Sequence, residues 1–216
     1  MTEPSFDKAQ LRGKIRQARA RRADHNSEAC TSGFFTQACS VLENCHSCIA
    51  YAALPGEPCL DTALDWARRR GTRVYLPVAT PGQPLRFGLL DCHPAELPPM
   101  GKWKIREPEP QYSAPEVFAG RTPTKDALAG AHTGQPPSVI LVPGLAFSPA
   151  GYRLGNGGGF YDRTFGPEGI APLDSAPMAV YGVCFAEEIR TDIGVEPWDL
   201  RVDTVLTEAG IRPVSS

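Results

Sequence analysis

The sequence predicts an α/β fold, a mainly parallel sheet flanked by helices on both faces. Stretches of helical period alternate along the chain with short apolar runs. One such run, 138–142, is β-branched and apolar at consecutive positions, the pattern of a strand covered on both faces. The length of 216 residues, with 42% apolar composition, is enough to bury a core without disulfides or metal staples. It suits a single domain over residues 1–216, with an irregular Pro-rich loop region at about 94–137.

Residues 7–22 read as an amphipathic helix. Leu11, Ile15 and Ala18 fall on one face at i, i+4 and i+7, while Lys8, Arg12, Arg16 and Arg19 fill another. Ser5 is the expected N-cap. A second helix over 27–43 turns Phe34, Phe35, Ala38, Val41 and Leu42 inward. A strand at 47–53 leads into the turn Leu54-Pro55-Gly56-Glu57-Pro58. Asp61 caps a helix through Arg70, with Gly71 as terminator. Strands follow at 72–78 and 85–90. The stretch 94–137 holds nine prolines and no sustained apolar period, which predicts mostly loop. Within it, Trp103-Lys104-Ile105-Arg106-Glu107-Pro108 reads as a fixed turn. Strands at 138–142, 178–185 and 202–206 complete the sheet.

Composition excludes several functions. Formal net charge is −2, from 22 basic and 24 acidic residues, so the chain as a whole is not a polyelectrolyte partner for nucleic acid or acidic lipid. No apolar run approaches a membrane span. Met1 to Asp7 carries two acids and no apolar stretch, so no signal peptide is expected. Glu3, Asp7 and Asp24 argue against a transit peptide. Seven cysteines at irregular spacing fit a reducing compartment, and the expected location is cytoplasmic. Cys45-His46-Ser47-Cys48 is formally a C-x-x-C. A metal site would need a second pair, and only Cys92-His93 offers one. A redox site would need a helix after the first Cys, where Ile49-Ala50-Tyr51-Ala52 reads as strand. The cysteines are therefore expected to be small buried apolar side chains. No obligate protein partner is evident.

The segment from Gly151 to Arg163 carries the chemistry. Five glycines fall within the nine residues 151–159, after a strand and before a helix. Glycine lets a ligand approach the backbone closely, and successive N–H groups can then converge on one anion, helped by the helix N-terminus behind them. Arg153 supplies a positive fork for phosphate oxygens. Asp162, at the far end, suits Mg²⁺, which prefers one or two carboxylates plus phosphate oxygens. A P-loop is excluded because no Lys follows these glycines, and the dinucleotide fingerprint would need Gly at Phe160.

Pro143-Gly144-x-Ala146-Phe147, then Gly151-x-Arg153-Leu154-Gly155-x-Gly157-x-Gly159-Phe160-Tyr161-Asp162, resembles the signature of the 5-formyltetrahydrofolate cyclo-ligase family, also called 5,10-methenyltetrahydrofolate synthetase. Lys8-x-x-x-Arg12, Leu54-Pro55-Gly56-Glu57, Leu76-Pro77-Val78, Ile105-Arg106-Glu107-Pro108, Pro197-Trp198-Asp199, Asp203 and Thr207-Glu208 extend the likeness over nearly the whole chain, except about 109–137. The resemblance implies a sandwich similar to the sugar-phosphate isomerase and acyl-CoA transferase superfold. It implies that ATP and 5-formyltetrahydrofolate react to give 5,10-methenyltetrahydrofolate, ADP and phosphate, with Mg²⁺ as cofactor.

By that likeness ATP contacts Lys8, Arg12, Arg153, Leu154, Gly155, Asn156, Gly157, Gly158, Gly159, Phe160 and Tyr161. Asp162 and Asp199 hold Mg²⁺, Glu57 and Tyr161 face the reduced folate, and Arg153 and Tyr161 serve catalysis. The chain departs from the pattern at Ser148, where Asp is usual, and at Glu188, where Gln is common. Asn156 and Gly158 replace the basic residues of some members. Two other readings fit the same residues: a sugar-phosphate isomerase-like enzyme with no need of ATP, and a paralogue that binds nucleotide or folate without ligation.

Overall fold

The computed structural model describes residues 7–22, 27–101, 103–120 and 135–215. Its centre is an eight-stranded sheet. In chain order the sheet strands are β1 (Ser47–Ile49), β2 (Arg73–Val78) and β3 (Arg86–Leu89). A separate hairpin, β4 (Pro99–Met100) and β5 (Ile105–Arg106), precedes β6 (Tyr112–Ser113) and β7 (Val139–Pro143). A second hairpin, β8 (Ala146–Phe147) and β9 (Arg153–Leu154), precedes β10 (Ala179–Val183), β11 (Thr204–Thr207) and β12 (Gly210–Pro213). The sheet order is β12-β11-β10-β7-β1-β2-β3-β6. Strands β11, β10, β7, β1 and β2 run parallel, and β12, β3 and β6 extend the edges antiparallel.

The core strands are apolar on both sides because both sides are covered. On β7, Val139 and Leu141 join the layer of α2 (Glu28–Leu42) and α3 (Asp61–Arg69), where Phe34, Ala38, Leu42 and Leu64 are buried. Ile140 and Val142 face the opposite layer, with Phe147, Val117 of α4 (Ala114–Phe118) and Phe165 of α5 (Phe160–Phe165). This alternation is the period of two that a strand imposes. Among the described residues, no helix is long and apolar enough to cross a membrane.

Several local expectations change. Helix α1 (Lys8–Arg21) starts at Asp7, whose carboxylate accepts from the N–H groups of Ala9 and Gln10 at 2.9 and 3.1 Å. Ser5 lies outside the described residues. The buried stripe of α1 is Leu11, Ile15 and Arg19, at i, i+4 and i+8, whereas Ala18 is exposed. A guanidinium can take that place because Glu188 meets it. Arg19 is 5% exposed and Glu188 3%, and two nitrogens of one bond both oxygens of the other at 2.8 Å. Arg19 also donates to the Gly144 carbonyl at 2.8 Å. Asp61 does not cap α3. It sits in the first turn and accepts Arg106 at 2.5 and 3.2 Å. Gly71 does end that helix, with φ 92°.

In the Pro-rich stretch, residues 94–101 and 103–120 carry more regular structure than composition predicts, and residues 121–134 lie outside the described residues. Glu116 accepts both the N–H and the hydroxyl of Ser113, at 2.8 and 2.7 Å. That capping box starts α4 in spite of Pro115, which is tolerated in a first turn. The turn predicted at 103–108 bonds two core segments. Arg106 holds Asp61 and the Ala53 carbonyl, and Glu107 accepts the Ala79 N–H after β2 at 2.9 Å.

Glu188→Ala is expected to cost about 3–5 kcal/mol of folding stability, because it strands a buried guanidinium. Denaturant unfolding measures this, and a loss under about 1 kcal/mol would show that Arg19 finds other compensation.

Candidate active site

The sheet changes direction between β1 and β7: the chain runs outward to β2 and β3 on one side and to β10 and β11 on the other. In an open α/β sheet this is the switch point, where ligands bind beyond the carboxyl ends of the strands. A cavity of about 1100 Å³ opens there. The turn after β1 brings Glu57, the segment after β7 brings the glycine loop, and α1 closes one side.

Two stitches hold the loop in place. Leu11 and Ile15 of α1 pack with Leu145, Ala146 and Leu154 beneath the loop. On the other side, Arg153 N–H donates to the Leu200 carbonyl at 3.1 Å, and Val202 N–H to the Gly151 carbonyl at 3.0 Å. The second stitch brings the distant Pro197-Trp198-Asp199 block beside the glycines. Ser148, at the hairpin turn, accepts the Tyr152 N–H on its hydroxyl at 3.0 Å. It therefore does the acceptor work open to a carboxylate there.

Arg153 is 8% exposed. Its Nε donates to the Pro143 carbonyl at 2.7 Å, its guanidinium lies 4.6 Å from the Tyr161 ring centre, and Nη1 is 3.6 Å from Asp162. A Cβ on Gly155 would come within 2.7 Å of that guanidinium, so the glycine leaves room for the arginine. Gly157 has φ 94°, a backbone that side chains rarely adopt. Helix α5 behind the loop has only six residues, so its dipole is a smaller resource than the sequence suggests. The field at the loop comes mainly from side-chain cations and exposed backbone amides.

Those cations are the basic residues of α1. Arg12 donates to the Gly155 carbonyl at 2.9 Å, and Arg16 to the Asn156 carbonyl at 2.7 Å. Lys8 donates to Asp199 and Glu196, both at 2.7 Å. Burial alone would lower the Lys8 pKa, but the two carboxylates outweigh it and hold it above its ordinary value. Glu57 accepts from Leu54 N–H at 3.0 Å and from the Asn156 side chain at 3.1 Å. Burial pushes its carboxyl upward, against the pull of those donors and of Arg19 and Arg153. Burial likewise pushes the Tyr161 phenol up, so it stays protonated and can donate.

The predicted residues thus line one cavity, Lys8, Arg12, Glu57, Arg153–Asp162 and Asp199 among them. The side chain of Leu154 is buried under α1 and acts by packing. The cavity is also lined by residues outside the predicted site set: Arg16, Arg19 and Glu196, and the exposed Trp103 and Trp198. The spacing Lys8, Arg12, Arg16, Arg19 was the available signal for the first two. Asp162 and Asp199 are hard oxygen donors on the same cavity, and this donor set fits Mg²⁺. Among the described residues no group of three or more His, Cys, Asp or Glu could hold a metal, so a cation here would complete its shell from water and ligand. The C-x-x-C lies elsewhere: Cys45 and Cys48 are both buried, and the hydrogen bond from Cys48 holds the Cys45 thiol below its ordinary pKa.

Fold and site together define an α/β protein with a glycine-lined cavity of mixed charge at the sheet's switch point. The model of the 5-formyltetrahydrofolate cyclo-ligase family matches residues 4–208, and the chain belongs to that family. It is 28% identical over 166 residues to the 5-formyltetrahydrofolate cyclo-ligase of Escherichia coli strain K12, covering 77% of this chain and 80% of that one. It is 32% identical over 161 residues to the enzyme of that name from Mycolicibacterium smegmatis, covering 73% and 71%. The fold matches the solution structure of Aquifex aeolicus 5,10-methenyltetrahydrofolate synthetase at a TM-score of 0.66 and 24% identity, covering 97% of this chain and 93% of that one.

Asn156→Ala removes a donor that favours the charged form of Glu57, so the Glu57 pKa should rise further. Carbon-detected NMR titration of the carboxyl checks this, and an unchanged or lower value would contradict the assigned contact.

Proposed function

We propose that this chain is an ATP- and Mg²⁺-dependent 5-formyltetrahydrofolate cyclo-ligase, giving 5,10-methenyltetrahydrofolate, ADP and phosphate. One observation carries the reading in a chain of this family. The glycine loop meets Arg12 and Arg16 of α1, which lie 143 and 140 residues from the loop carbonyls they bond, on one cavity.

An N-formyl amide is a poor electrophile with a poor leaving group. Transfer of the γ-phosphoryl group to the formyl oxygen answers both difficulties. N10 then attacks the activated carbon and loses its proton, the ring closes, and phosphate departs with the former formyl oxygen. Such transfer needs positioning and charge stabilisation rather than a protein nucleophile. Arg153, Lys8, Arg12 and the loop amides orient the phosphates. Tyr161, as a protonated donor, faces the reacting oxygen, and Glu57 faces the folate. Asp162 and Asp199 would hold Mg²⁺, which when bound offsets phosphate charge.

The departures from the family pattern do not favour a non-ligating paralogue. Ser148 supports its own turn, and Glu188 neutralises Arg19. We read residues 1–216 as a single domain in the cytoplasm, where seven free thiols are at home.

The direct test follows methenyltetrahydrofolate absorbance with ATP, Mg²⁺ and 5-formyltetrahydrofolate. Product that requires all three is expected, and none from folded protein would refute the reading. Arg153→Ala is expected to weaken ATP binding by about 1.5–3 kcal/mol, roughly ten- to a hundredfold. Calorimetry measures it, and unchanged affinity would remove Arg153 from the phosphate site. Gly157→Val, forced to φ 94°, should abolish nucleotide binding. Full-strength binding would contradict the cradle.

A further inference from the structure

Two bases on the cavity, Lys8 and Arg153, are ion-paired with carboxylates on the same lining. Lys8 Nζ lies 2.7 Å from an oxygen of Asp199 and 2.7 Å from Glu196. The same Asp199 oxygen accepts the Glu196 N–H at 2.7 Å. Arg153 Nη1 lies 3.6 Å from Asp162. Each base is thus paired with one of the two carboxylates that suit a divalent cation.

Resting on the nucleotide reading above, we propose that Lys8 and Arg153 are place-holding cations that exchange partners when ATP and Mg²⁺ bind. Without nucleotide, each neutralises one carboxylate. With nucleotide, each moves to a phosphate oxygen, and its carboxylate is left for the metal. The exchange makes the two ligands interdependent, so that neither binds well alone.

The physical argument starts from Asp199. It is 8% exposed, and a carboxylate that far from water needs a counter-charge. The Lys8 ammonium supplies it from within the chain. Mg²⁺ gives up its water reluctantly and is held by few carboxylates, so two acids already paired with cations hold it weakly. A triphosphate changes the balance on both sides at once. It offers anionic oxygens to Lys8 and Arg153 as these leave their carboxylates, and further oxygens to the metal. Lys8 has the shorter contact and a second anchor in Glu196, whereas Arg153 stands at 3.6 Å. Lys8 therefore carries most of the block. Coupling of this kind is reciprocal: whatever the nucleotide adds to metal affinity, the metal adds to nucleotide affinity.

A purely structural Lys8, a staple between α1 and the 196–199 turn, makes the opposite forecast: its removal weakens both ligands.

The test uses the full chain and isothermal titration calorimetry, with circular dichroism to confirm folding. Lys8→Gln should bind Mg²⁺ without nucleotide about tenfold more tightly than the wild type, and ATP should add less to that affinity. The reciprocal arm removes the carboxylate. Asp199→Asn leaves Lys8 held by Glu196 alone, so the variant's affinity for ATP in chelator, with no metal, should rise several-fold. Unchanged or weaker Mg²⁺ binding by Lys8→Gln, or unchanged or weaker metal-free ATP binding by Asp199→Asn, overturns the exchange. Those results differ from a wild type that binds no ATP at all, which would overturn the nucleotide reading and the exchange with it.

Discussion

The site depends on one buried ion pair. Arg19 and Glu188 stand 169 residues apart and are both nearly inaccessible. Neither charge could remain there without the other, because desolvation of a lone guanidinium or carboxylate costs several kcal/mol. The pair, with the Gly144 carbonyl, ties the end of α1 to the segments that follow β7 and β10. Once that end is held, helical spacing carries Arg16, Arg12 and Lys8 along the glycine loop one turn at a time. A basic helix face that would otherwise be solvated becomes one wall of a cavity.

The other wall is set by the chain's need to satisfy backbone groups. The β8–β9 hairpin lies off the main sheet, so its outer edge must find partners elsewhere. It finds them in residues 200–202, and this brings Asp199 to the glycines. Positive and negative groups then crowd one pocket, and each neutralises another. Lys8 joins Asp199 and Glu196, and Arg153 joins Asp162, while the neutral Asn156 amide donates a hydrogen bond to Glu57. These pairs leave the cavity's closest charges partnered, while Arg163 Nε, on the same lining, is buried without a hydrogen-bond partner among the described residues.

How much of this was legible in the sequence follows from the range of each interaction. The α/β class and its parallel strands were readable because burial on both faces writes itself into a run such as 138–142. The glycine loop was readable because its composition is local. The stripe of α1 was misread by one position. Ala18 is the apolar residue, but Arg19 is the buried one, for a reason that lies at Glu188. Helix α4 was not read from the sequence: its local signal, Ser113 and Glu116 three residues apart, is set among prolines. β12 is a four-residue edge strand bearing an exposed Arg212, and so little apolar patterning leaves almost no trace. Glu196 carries no motif of its own, and its part in the site comes from the turn that delivers it to Lys8.

As proposed, α1 and the glycine loop form one nucleotide site. Amide hydrogen exchange, with and without ATP and Mg²⁺, tests this, and the ligands should slow exchange in residues 8–21 and 153–162 together. Protection of the loop with α1 unchanged would contradict it and return the basic helix to solvent.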